Sequence, residues 1–580
     1  MSTAHAPHRP TPVSDYVPIG LDATRWEAIE PLVRGLLDRP VTSAAELERW
    51  LIDRSELDAA CSESRANLYI RMTCHTDDEA TSAAWTRYLD EVPPRLKPLS
   101  FELDKRQVEL AKRFPLDQRR YGVLMRDTAV EVELFRQENV ALETELAKLD
   151  QKYDQLCGAM MVEFDGQTRT LPQMVRYLQE TDRGVRERAW RGIFDRRLAD
   201  KDEIDGIFDR MIELRHRLAK NAGFTTYRDY AFKERHRFDY GVKESLAFHD
   251  AIEKHAVPFM RRLNARRASA LKLGGLRPWD LNVDEQGRSP LRPFTSGQDL
   301  LDKTQKVYDA MDPWLASAFR GMGQNEAPGG CLDLDSRKGK ASGGYQYMRD
   351  RSRRPFIFMN AAGVHRDVQT MVHEAGHMFH SMLCVEEPLV GYRHSPIEFA
   401  EVASMSMELL TMPHWAAYYP DETERRRARR EQLEGAVSIL PWIATIDAYQ
   451  HWLYTHPNHS RADRLAYWVG LDERFGAAVD WSGLEMHRRY QWQKQGHLFG
   501  NPFYYIEYGI AQLGALGLWL MSLEQGPAAA LAAYKKALSL GGSRPLPELF
   551  AAAGLPFDFG DAIVGRIVEA VERELAKMPG

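Results

Sequence analysis

Apolar residues recur at helical spacing along most of the chain. In the clearest stripe they follow one another at intervals of three and four residues, which predicts one long helix with a single apolar seam. The stripe consists of Val132, Phe135, Asn139, Leu142, Leu146, Leu149 and Tyr153, with Asn139 as its polar interruption. Such a seam is typical of a scaffold helix packed in an antiparallel hairpin, so the pattern predicts a mainly α-helical fold.

Strand patterns are few and short. Residues 160–171 are predicted to form a small hairpin, because Asp165-Gly166 at its centre suits a tight type I′ turn. The segments 345–348 and 355–360 form a second candidate pair. The fold class predicted from the pattern is therefore mainly α with a small β element.

The length of 580 residues exceeds what one small core needs, so we expect more than one domain. We predict a boundary near residue 195, with an N-terminal helical domain over residues 1–195 and a second domain over residues 196–580. Apolar residues make up 44% and charged residues 28% of the chain, which excludes a disordered or fibrous protein.

Charge and cysteine content exclude further classes of protein. The net charge of −6 argues against a protein that binds nucleic acid by general electrostatic attraction. Five scattered cysteines without a CxxC pair are typical of reduced thiols. Residues 1–20 lack the apolar core of a signal peptide, and the apolar run 509–523 is too short to span a bilayer. We therefore expect a cytoplasmic protein with no membrane and no nucleic-acid partner.

Residues 373–377 have the sequence His-Glu-Ala-Gly-His within a segment of helical character. Positions i and i+4 of a helix lie one turn apart on the same face, so His373 and His377 can offer two imidazoles to one metal ion. Glu374 lies beside them and can act as the base for a metal-activated water. Two surface histidines on a helix are the alternative interpretation, because the motif also occurs by chance.

A catalytic zinc site of this kind needs a third protein ligand. The continuation HExxHxxGxxH would require Gly at position 380 and His at position 383, where this chain has His380 and Leu383, so that class is excluded. His380 lies two turns beyond His373, about 10 Å along the helix axis. It is expected to form hydrogen bonds or to pack nearby.

A following helix that begins near residue 396 supplies carboxylates instead. Glu401 and Glu408 are seven residues apart and share a face, where two carboxylates are costly unless a cation meets them. We predict that Glu401 is the third ligand and that Glu408 accepts a hydrogen bond from a ligand histidine. Glu398 is expected to be a solvated acid at the start of the helix.

The segment 496–508 carries a histidine and three tyrosines. Hydrolysis of a peptide bond places negative charge on the former carbonyl oxygen, and a hydrogen-bond donor stabilises that charge. His497 lies in a Gly- and Pro-containing loop and is one candidate donor. Tyr504, Tyr505 and Tyr508 are further candidates, with amphipathic tyrosines at the edge of the core as the alternative interpretation.

A glycine-containing loop precedes the HExxH segment. Gly343, Gly344 and the segment 355–360 would offer backbone N–H and C=O groups to an extended peptide. Addition of the substrate as an extra strand gives affinity without demanding particular side chains. An ordinary hairpin edge is an equally weighted alternative.

Together these segments resemble the zinc oligopeptidases of the thimet oligopeptidase and oligopeptidase F type, and the shorter bacterial oligopeptidase F branch is the closer match. The resemblance covers roughly residues 180–520 and rests on residues 217–230, 339–345, 355–360, 367–380, 399–408 and 496–508.

This resemblance implies a large helical ellipsoid with a deep substrate channel, one Zn²⁺ per chain on the channel floor, and a small β element beside the zinc helix. It makes residues 196–580 the zinc peptidase catalytic domain. It also implies that Asp367 and Glu408 support the metal ligands from outside, and that Gly343, Gly344 and Tyr345 bind substrate. The family's corresponding histidine and tyrosine groups contact the substrate carbonyl, which assigns that role to His497 and to one tyrosine; we rank Tyr508 first, Tyr505 second and Tyr504 third.

The sequence therefore predicts a zinc-dependent oligoendopeptidase that hydrolyses internal bonds of short, unstructured peptides, as a monomer or a homodimer. One alternative is a metallo-carboxypeptidase on the same zinc helix. That enzyme would need a cation to grip a terminal carboxylate, and the nearby candidates are Arg349, Arg351, Arg353 and Arg354. A second alternative is a non-catalytic peptide-binding scaffold.

Overall fold

The computed structural model describes residues 14–323, 330–341 and 343–578. Within these residues most of the chain is α-helical, with two small β-sheets, which confirms the mainly α fold class. The helices before the first strand are Trp26–Asp38, Ala44–Cys74, Glu79–Glu91, Pro93–Arg113, Gln118–Leu134 and Asn139–Gly158.

The apolar stripe that begins at Val132 is split over two helices, so the prediction of one long helix is wrong. The first helix ends at Leu134 and the next begins at Asn139. At the break, the side chain of Arg136 donates to two backbone carbonyl oxygens of the preceding turn, at 2.7 and 2.8 Å. Asn139 is buried and donates to the carbonyl oxygen of Leu218 at 3.1 Å, so the polar interruption of the seam has a partner on a neighbouring helix.

The hairpin predicted within residues 160–171 is confirmed. Strands β1 (Met161–Phe164) and β2 (Gln167–Thr170) pair antiparallel. The turn residues Asp165 and Gly166 both have positive φ, at 51° and 73°, as a type I′ turn requires.

A three-stranded sheet contains the second predicted strand pair. Strands β4 (Tyr345–Arg349) and β5 (Arg354–Ala361) pair antiparallel as expected, while β3 (Leu332–Asp335) pairs parallel with the other side of β5. The sequence pattern missed β3 because it has four residues, two of them aspartates, which are rare in strands. Since β5 lies in the centre, β3 and β4 are the two edge strands of this sheet.

The other helices surround these strands. They are Leu171–Met174, Arg183–Ala199, Lys201–Asn221, Tyr227–Glu234, Val242–Ala251, Val257–Ala270, Gly297–Met311, Pro313–Gly323, His365–Leu383, Val390–Arg393, Ile397–Leu410, Glu422–Ser438, Leu440–Thr455, Arg461–Phe475, Glu485–Arg489, His497–Gly500, Tyr505–Glu524, Pro527–Leu538, Leu546–Ala552 and Asp561–Ala576. Short 3₁₀ segments cover Val175–Gln179, Pro278–Asp280, Met412–Ala417 and Gln491–Lys494, and a π-helical turn covers Ile252–Ala256.

Buried apolar residues form two large clusters. The smaller one draws on positions 17 to 121 together with Leu389 and Tyr392. The larger one extends from Val130 to Met578. The domain boundary near residue 195 stays a prediction.

Three helices position the candidate site: the HExxH helix (His365–Leu383), the Glu401 helix (Ile397–Leu410) and the tyrosine helix (Tyr505–Glu524). The Glu401 helix packs against both of the others. The HExxH helix also packs on β4 and β5, which confirms the β element beside it.

The tyrosine helix contains the apolar run 509–523. With 20 residues it is longer than that run, and among the described residues it is the one helix long and apolar enough to cross a membrane. Buried residues make up 72% of its apolar window. A core helix satisfies the same length and composition test, and this helix packs inside the larger cluster.

Candidate metal centre and active site

A cavity of about 630 Å³ opens above the HExxH helix. Most of the residues predicted for the site line it: His373, Glu374, His377, Glu401, Glu408, His497, Tyr505, Tyr508, Gly344 and Tyr345. The tertiary structure thus brings together segments that are separated by more than 160 residues in the chain. Such a volume is typical of a ligand-binding cavity.

His373, His377 and Glu401 converge on one point. One turn of the HExxH helix separates the two imidazoles, and a carboxylate oxygen of Glu401 lies 3.4 Å from Nε2 of His373 and 3.6 Å from Nε2 of His377. The three ligand atoms all lie within 4.8 Å of one another. A tetrahedral zinc ion with bonds of about 2.0–2.2 Å separates its ligand atoms by about 3.3–3.6 Å. The donor set therefore fits a zinc ion in its chemistry, and the two distances from Glu401 match the spacing that such an ion requires.

A glycine makes this convergence possible. Gly376 lies between the two histidines, and a Cβ atom there would come within 2.5 Å of the carbonyl oxygen of Ala403 on the Glu401 helix. The same atom would come within 2.6 Å of the Cα of Ser404. Only glycine permits the two helices to approach so closely, and this approach carries the carboxylate of Glu401 to the histidines.

Outer hydrogen bonds orient the ligands. Nδ1 of His373 lies 2.7 Å from a carboxylate oxygen of Glu408, in the contact expected from the sequence, so that Nε2 is left for a metal. The amide of Gln432 donates to the other oxygen of Glu408 at 2.9 Å, and Gln369 donates to Gln432 at 2.6 Å. On the third ligand, the hydroxyl of Ser404 donates to Glu401 at 2.7 Å.

The sequence missed Gln369 and Gln432. Gln432 lies on the helix Glu422–Ser438, and nothing in its local pattern connects it with the HExxH segment. Gln369 lies one turn before His373 on the same helix, and this spacing is the signal that could have identified it.

Two residues of the HExxH helix lie away from the ligand atoms. Asp367 accepts hydrogen bonds from the backbone N–H groups of Ala362 and Val364 at 2.8 and 3.0 Å, so it caps the start of the helix. The expectation that Asp367 supports a metal ligand is corrected accordingly. His380 is buried and lies 3.0 Å from the hydroxyl of Ser395, which agrees with the hydrogen-bonding role expected for it.

Glu398 is buried rather than solvated, so the expectation for this residue is wrong. Its carboxylate accepts a hydrogen bond from the hydroxyl of Tyr240 at 2.7 Å. Arg237 and Glu507 lie close to this pair and bond one another at 2.9 Å. A distant segment of the chain supplies these partners, which the local helix pattern around Glu398 does not reveal.

Glu374 lies beside the predicted ligands with its carboxylate fixed. It is 6% exposed, and the backbone N–H of Gln346 on β4 donates to it. Burial raises the pKa of Glu374 to about 7, with His373 opposing and the charge of Glu401 adding to this effect. A pKa near neutrality suits a group that accepts a proton and passes it on.

His497 and the three tyrosines form one aromatic cluster. His497 starts the short helix His497–Gly500, where a loop was expected. The ring centroids of Tyr504, Tyr505 and Tyr508 lie 5.7, 5.0 and 5.9 Å from that of His497. The cluster therefore presents several hydrogen-bond donors to one side of the cavity.

Hydrogen bonding distinguishes the tyrosines. Burial raises the pKa of Tyr508 to about 12 together with the charge of Glu401, while a hydrogen bond with Tyr504 acts in the opposite direction. The hydroxyls of Tyr504 and Tyr508 bond one another, and a hydroxyl that accepts one hydrogen bond can still donate another. The hydroxyl of Tyr505 bonds with Trp442 and Gln495. Tyr508 lines the cavity and Tyr504 is not among its lining residues, which favours Tyr508 over Tyr504; the ranking of the three stays a prediction.

The open sheet edge at the cavity differs from the one expected. Strand β5 lies between β3 and β4, so most of the segment 355–360 already has a strand partner and does not offer a free edge to a substrate strand. Edge strand β4 instead contributes Tyr345 and Gln346 to the cavity lining, next to Gly344. The hydroxyl of Tyr345 bonds Thr73 at 2.6 Å, which directs its side chain toward the N-terminal helices.

The arginines proposed for gripping a terminal carboxylate bond elsewhere. Arg349 donates to Asn67 at 2.9 Å, Arg351 to the carbonyl oxygens of residues 17 and 18, and Arg353 to that of Val385. Arg354 bonds with Cys331. None of the four is among the residues that line the cavity, whereas Arg366, which the sequence analysis missed, is.

The helical fold, the two-helix donor set and the adjacent buried carboxylate together define a class of protein, the metallohydrolases that activate water at a divalent ion. Models of known families identify the chain more closely. Residues 176–568 match the model described as peptidase family M3, and residues 19–135 match the peptidase M3 N-terminal domain. The chain therefore belongs to peptidase family M3.

Individual proteins show the same relationship. The chain is 24% identical over 285 residues to oligopeptidase PepF of Bacillus subtilis (strain 168), and 24% identical over 273 residues to chromosomal oligoendopeptidase F of Lactococcus lactis subsp. cremoris. These matches cover 47% and 45% of this chain, but only 40% and 42% of those two proteins. The structure of PZ peptidase A with an inhibitor superposes with a TM-score of 0.86 at 26% identity, covering 97% of this chain and 99% of that one.

Proposed function

We propose that the protein is a zinc-dependent oligoendopeptidase that hydrolyses internal bonds of short, unstructured peptides, with one Zn²⁺ per chain. The observation that carries the proposal is the spacing of the donor atoms of His373, His377 and Glu401, which matches a tetrahedral zinc site. Family membership and the peptidase names of the relatives support the same reaction class.

In this proposal a bound zinc ion supplies a Lewis acid that polarises the scissile carbonyl and lowers the pKa of water. Glu374 takes the proton released when water attacks and passes it to the nitrogen of the leaving amine. The hydrogen bond from the N–H of Gln346 keeps the carboxylate beside the reacting atoms. Proton transfer at Glu374 therefore connects the attack with the departure of the product.

His497 and Tyr508 stabilise the negative charge on the former carbonyl oxygen. Both line the cavity, and both can donate a hydrogen bond. A donor aimed at the oxyanion stabilises the transition state more than the substrate, since the ground-state carbonyl oxygen carries less charge.

The substrate lies in the cavity along strand β4. An extended peptide can form backbone hydrogen bonds with an edge strand whatever its side chains are, so we propose broad sequence tolerance. Gly344 keeps this side of the cavity open, because a Cβ there would meet Thr370 at 3.1 Å. We further propose a cytoplasmic location, a monomeric or homodimeric state, and neither membrane nor nucleic-acid partners.

A peptide-length series tests the proposed function. Peptides of increasing length, each with both termini capped, are incubated with the protein with and without a metal chelator, and the products are identified by mass spectrometry. We expect internal cleavage of the short peptides, loss of cleavage with chelator, and its recovery when zinc is restored. Cleavage that is insensitive to metal removal would contradict the proposal.

One observation favours a second candidate, a metallo-carboxypeptidase. Arg366 is exposed, lines the cavity two helical turns before His373, and forms no ion pair among the described residues, so it could bind a terminal carboxylate. The same peptides distinguish the two functions: a carboxypeptidase leaves capped peptides intact and removes residues only from a free carboxyl end.

A further inference from the structure

Two consecutive hydrogen bonds connect Trp442 with His497. The indole Nε1 of Trp442, on the helix Leu440–Thr455, donates to Oε1 of Gln495 at 3.0 Å. Nε2 of Gln495 lies 2.8 Å from Nδ1 of His497. The side-chain amide of Gln495 therefore links the helix Leu440–Thr455 to the imidazole of His497.

The chemistry of tryptophan determines which group donates in each of these two hydrogen bonds. An indole N–H can only donate, so the atom of Gln495 that faces it must be the carbonyl oxygen. If the amide were turned round, its NH₂ group would face the indole N–H, and two donors would oppose each other. The NH₂ group of Gln495 therefore faces His497, and Nδ1 of His497 must accept.

We propose that Gln495 and Trp442 are positioning residues that hold the neutral imidazole of His497 in the tautomer protonated at Nε2. A neutral imidazole has one N–H, and occupation of Nδ1 as an acceptor places that hydrogen on Nε2. His497, which lines the cavity, is thereby kept ready to donate from Nε2. The catalytic importance of this tautomer rests on the proposed function, whereas the tautomer itself does not.

The surroundings of His497 keep its imidazole neutral, so the tautomer determines which ring nitrogen can donate a hydrogen bond. Burial lowers the pKa of His497, and the positive charge of Arg235 acts in the same direction, so the ring is neutral at physiological pH. An imidazolium would donate from both nitrogens and would need no such control, but a neutral ring donates from one only. The hydroxyl of Tyr505 also contacts Trp442 and Gln495, so its contribution must be tested separately.

Nuclear magnetic resonance tests the tautomer without using activity. Long-range ¹H–¹⁵N spectra of the ¹⁵N-labelled full-length protein are recorded, and the His497 signals are assigned as those missing from the variant His497→Gln. We expect protonation at Nε2 in the natural protein and at Nδ1, or at both nitrogens, in Gln495→Glu, because a carboxylate can only accept. Protonation at Nδ1 in the natural protein would overturn the proposal.

Enzyme kinetics test the effect of the His497 tautomer on catalysis. In Gln495→Glu the ring can donate from Nε2 only as an imidazolium, so we expect kcat to fall by at least about tenfold as the pH rises and the ring loses its second proton, with little change in KM. Gln495→Met, of similar size and without hydrogen bonds, should lose activity evenly across the pH range. A pH profile of Gln495→Glu parallel to that of the natural protein would contradict the proposal.

Two control variants distinguish a failure of the role proposed for Gln495 from a failure of the proposed function. Tyr505→Phe keeps the amide and its neighbours, so it should retain the Nε2 tautomer in the spectrum; loss of that tautomer would assign the control to Tyr505 and overturn the role of Gln495. If His497→Gln retains full turnover, the donor role in the proposed function is wrong, and the spectra still decide the tautomer.

Discussion

At the residue scale, the chemistry of each side chain depends on the atom that its neighbours leave available. Glu408 occupies Nδ1 of His373, which leaves Nε2 for a metal. The amide of Gln432 in turn occupies the other oxygen of Glu408. These assignments come from contacts outside the HExxH motif, because the motif specifies residue types but not which atom of each side chain is engaged.

Replacement of the proposed base tests its role without disturbing the ligands. We expect Glu374→Gln to keep its zinc and to lose about 10²–10⁴-fold in kcat, because the amide keeps the shape of the carboxylate but cannot accept the proton. Metal analysis and peptide turnover measured on the same preparation check this. Turnover at the rate of the natural protein would exclude Glu374 as the base.

Replacement of the third predicted ligand, Glu401, should lower the metal content, whereas Glu374→Gln should not. We expect Glu401→Ala to contain substoichiometric zinc, since two imidazoles alone hold the ion weakly. Glu398→Gln is the matched control, because Glu398 is a buried carboxylate on the same helix that bonds Tyr240 instead. Metal content per folded chain should remain complete in the control. Full zinc in Glu401→Ala would assign the ligand to another carboxylate.

At the scale of elements, the site depends on how closely two helices pack. The HExxH helix and the Glu401 helix meet at Gly376, where any side chain would collide with backbone atoms of Ala403 and Ser404. The hydroxyl of Tyr534 donates to the carbonyl oxygen of Ala403 at 3.1 Å and fixes the same crossing point. The spacing of the ligand atoms is therefore a consequence of helix packing.

Substitution at this crossing should affect stability and metal binding together. We expect Gly376→Ala to destabilise the protein by about 1–3 kcal/mol through overpacking, and to weaken zinc binding by moving Glu401 away. Gly470→Ala is the control, because a Cβ at this helical position meets no atom within 4 Å, and alanine there should be neutral or stabilising. Denaturant unfolding and zinc titration measure both effects. Equal behaviour of the two variants would contradict this account.

At the scale of the whole molecule, ion pairs join the N-terminal helices to the part of the chain that carries the site. His236 lies 3.0 Å from Glu131 and 3.7 Å from Asp127, both on the helix Gln118–Leu134. Burial by itself would lower the pKa of His236, but hydrogen bonds with these two carboxylates raise it to about 9. The folded state therefore holds this proton more tightly than the unfolded chain does.

This difference predicts a pH-dependent contribution to stability. The unfolded histidine has a pKa of about 6.5, so the contribution is fully present below pH 6.5 and is lost as the pH rises through about 9. Compared with His236→Asn, which tolerates the positive φ of 53° at this position, we expect an advantage of about 1–3 kcal/mol at pH 6 that disappears by about pH 10. Denaturant unfolding at several pH values measures it. A stability difference that does not vary with pH would refute the pairing.

The sequence by itself determined the helical class, the hairpin at Asp165-Gly166 and the three candidate ligands. Each depends on local periodicity or on spacing within one or two helices, which the chain encodes directly. The same reasoning failed where a partner came from elsewhere in the chain. The burial of Glu398 by Tyr240 is one such case, and the break before Asn139 is another.

Only the tertiary structure decided which groups meet. Gln432 and Trp442 carry no local signal for the site, because their contacts arise from the packing of helices that are remote in sequence. Gly376 lies inside the HExxH motif and Gln495 lies two residues before His497, but the contacts that give them their roles are with the remote Glu401 helix and the remote Trp442. Packing also assigned the open sheet edge to β4 rather than to β5. A sequence motif can specify the donors of a metal site, but their distances and hydrogen-bond partners depend on how the whole chain folds around them.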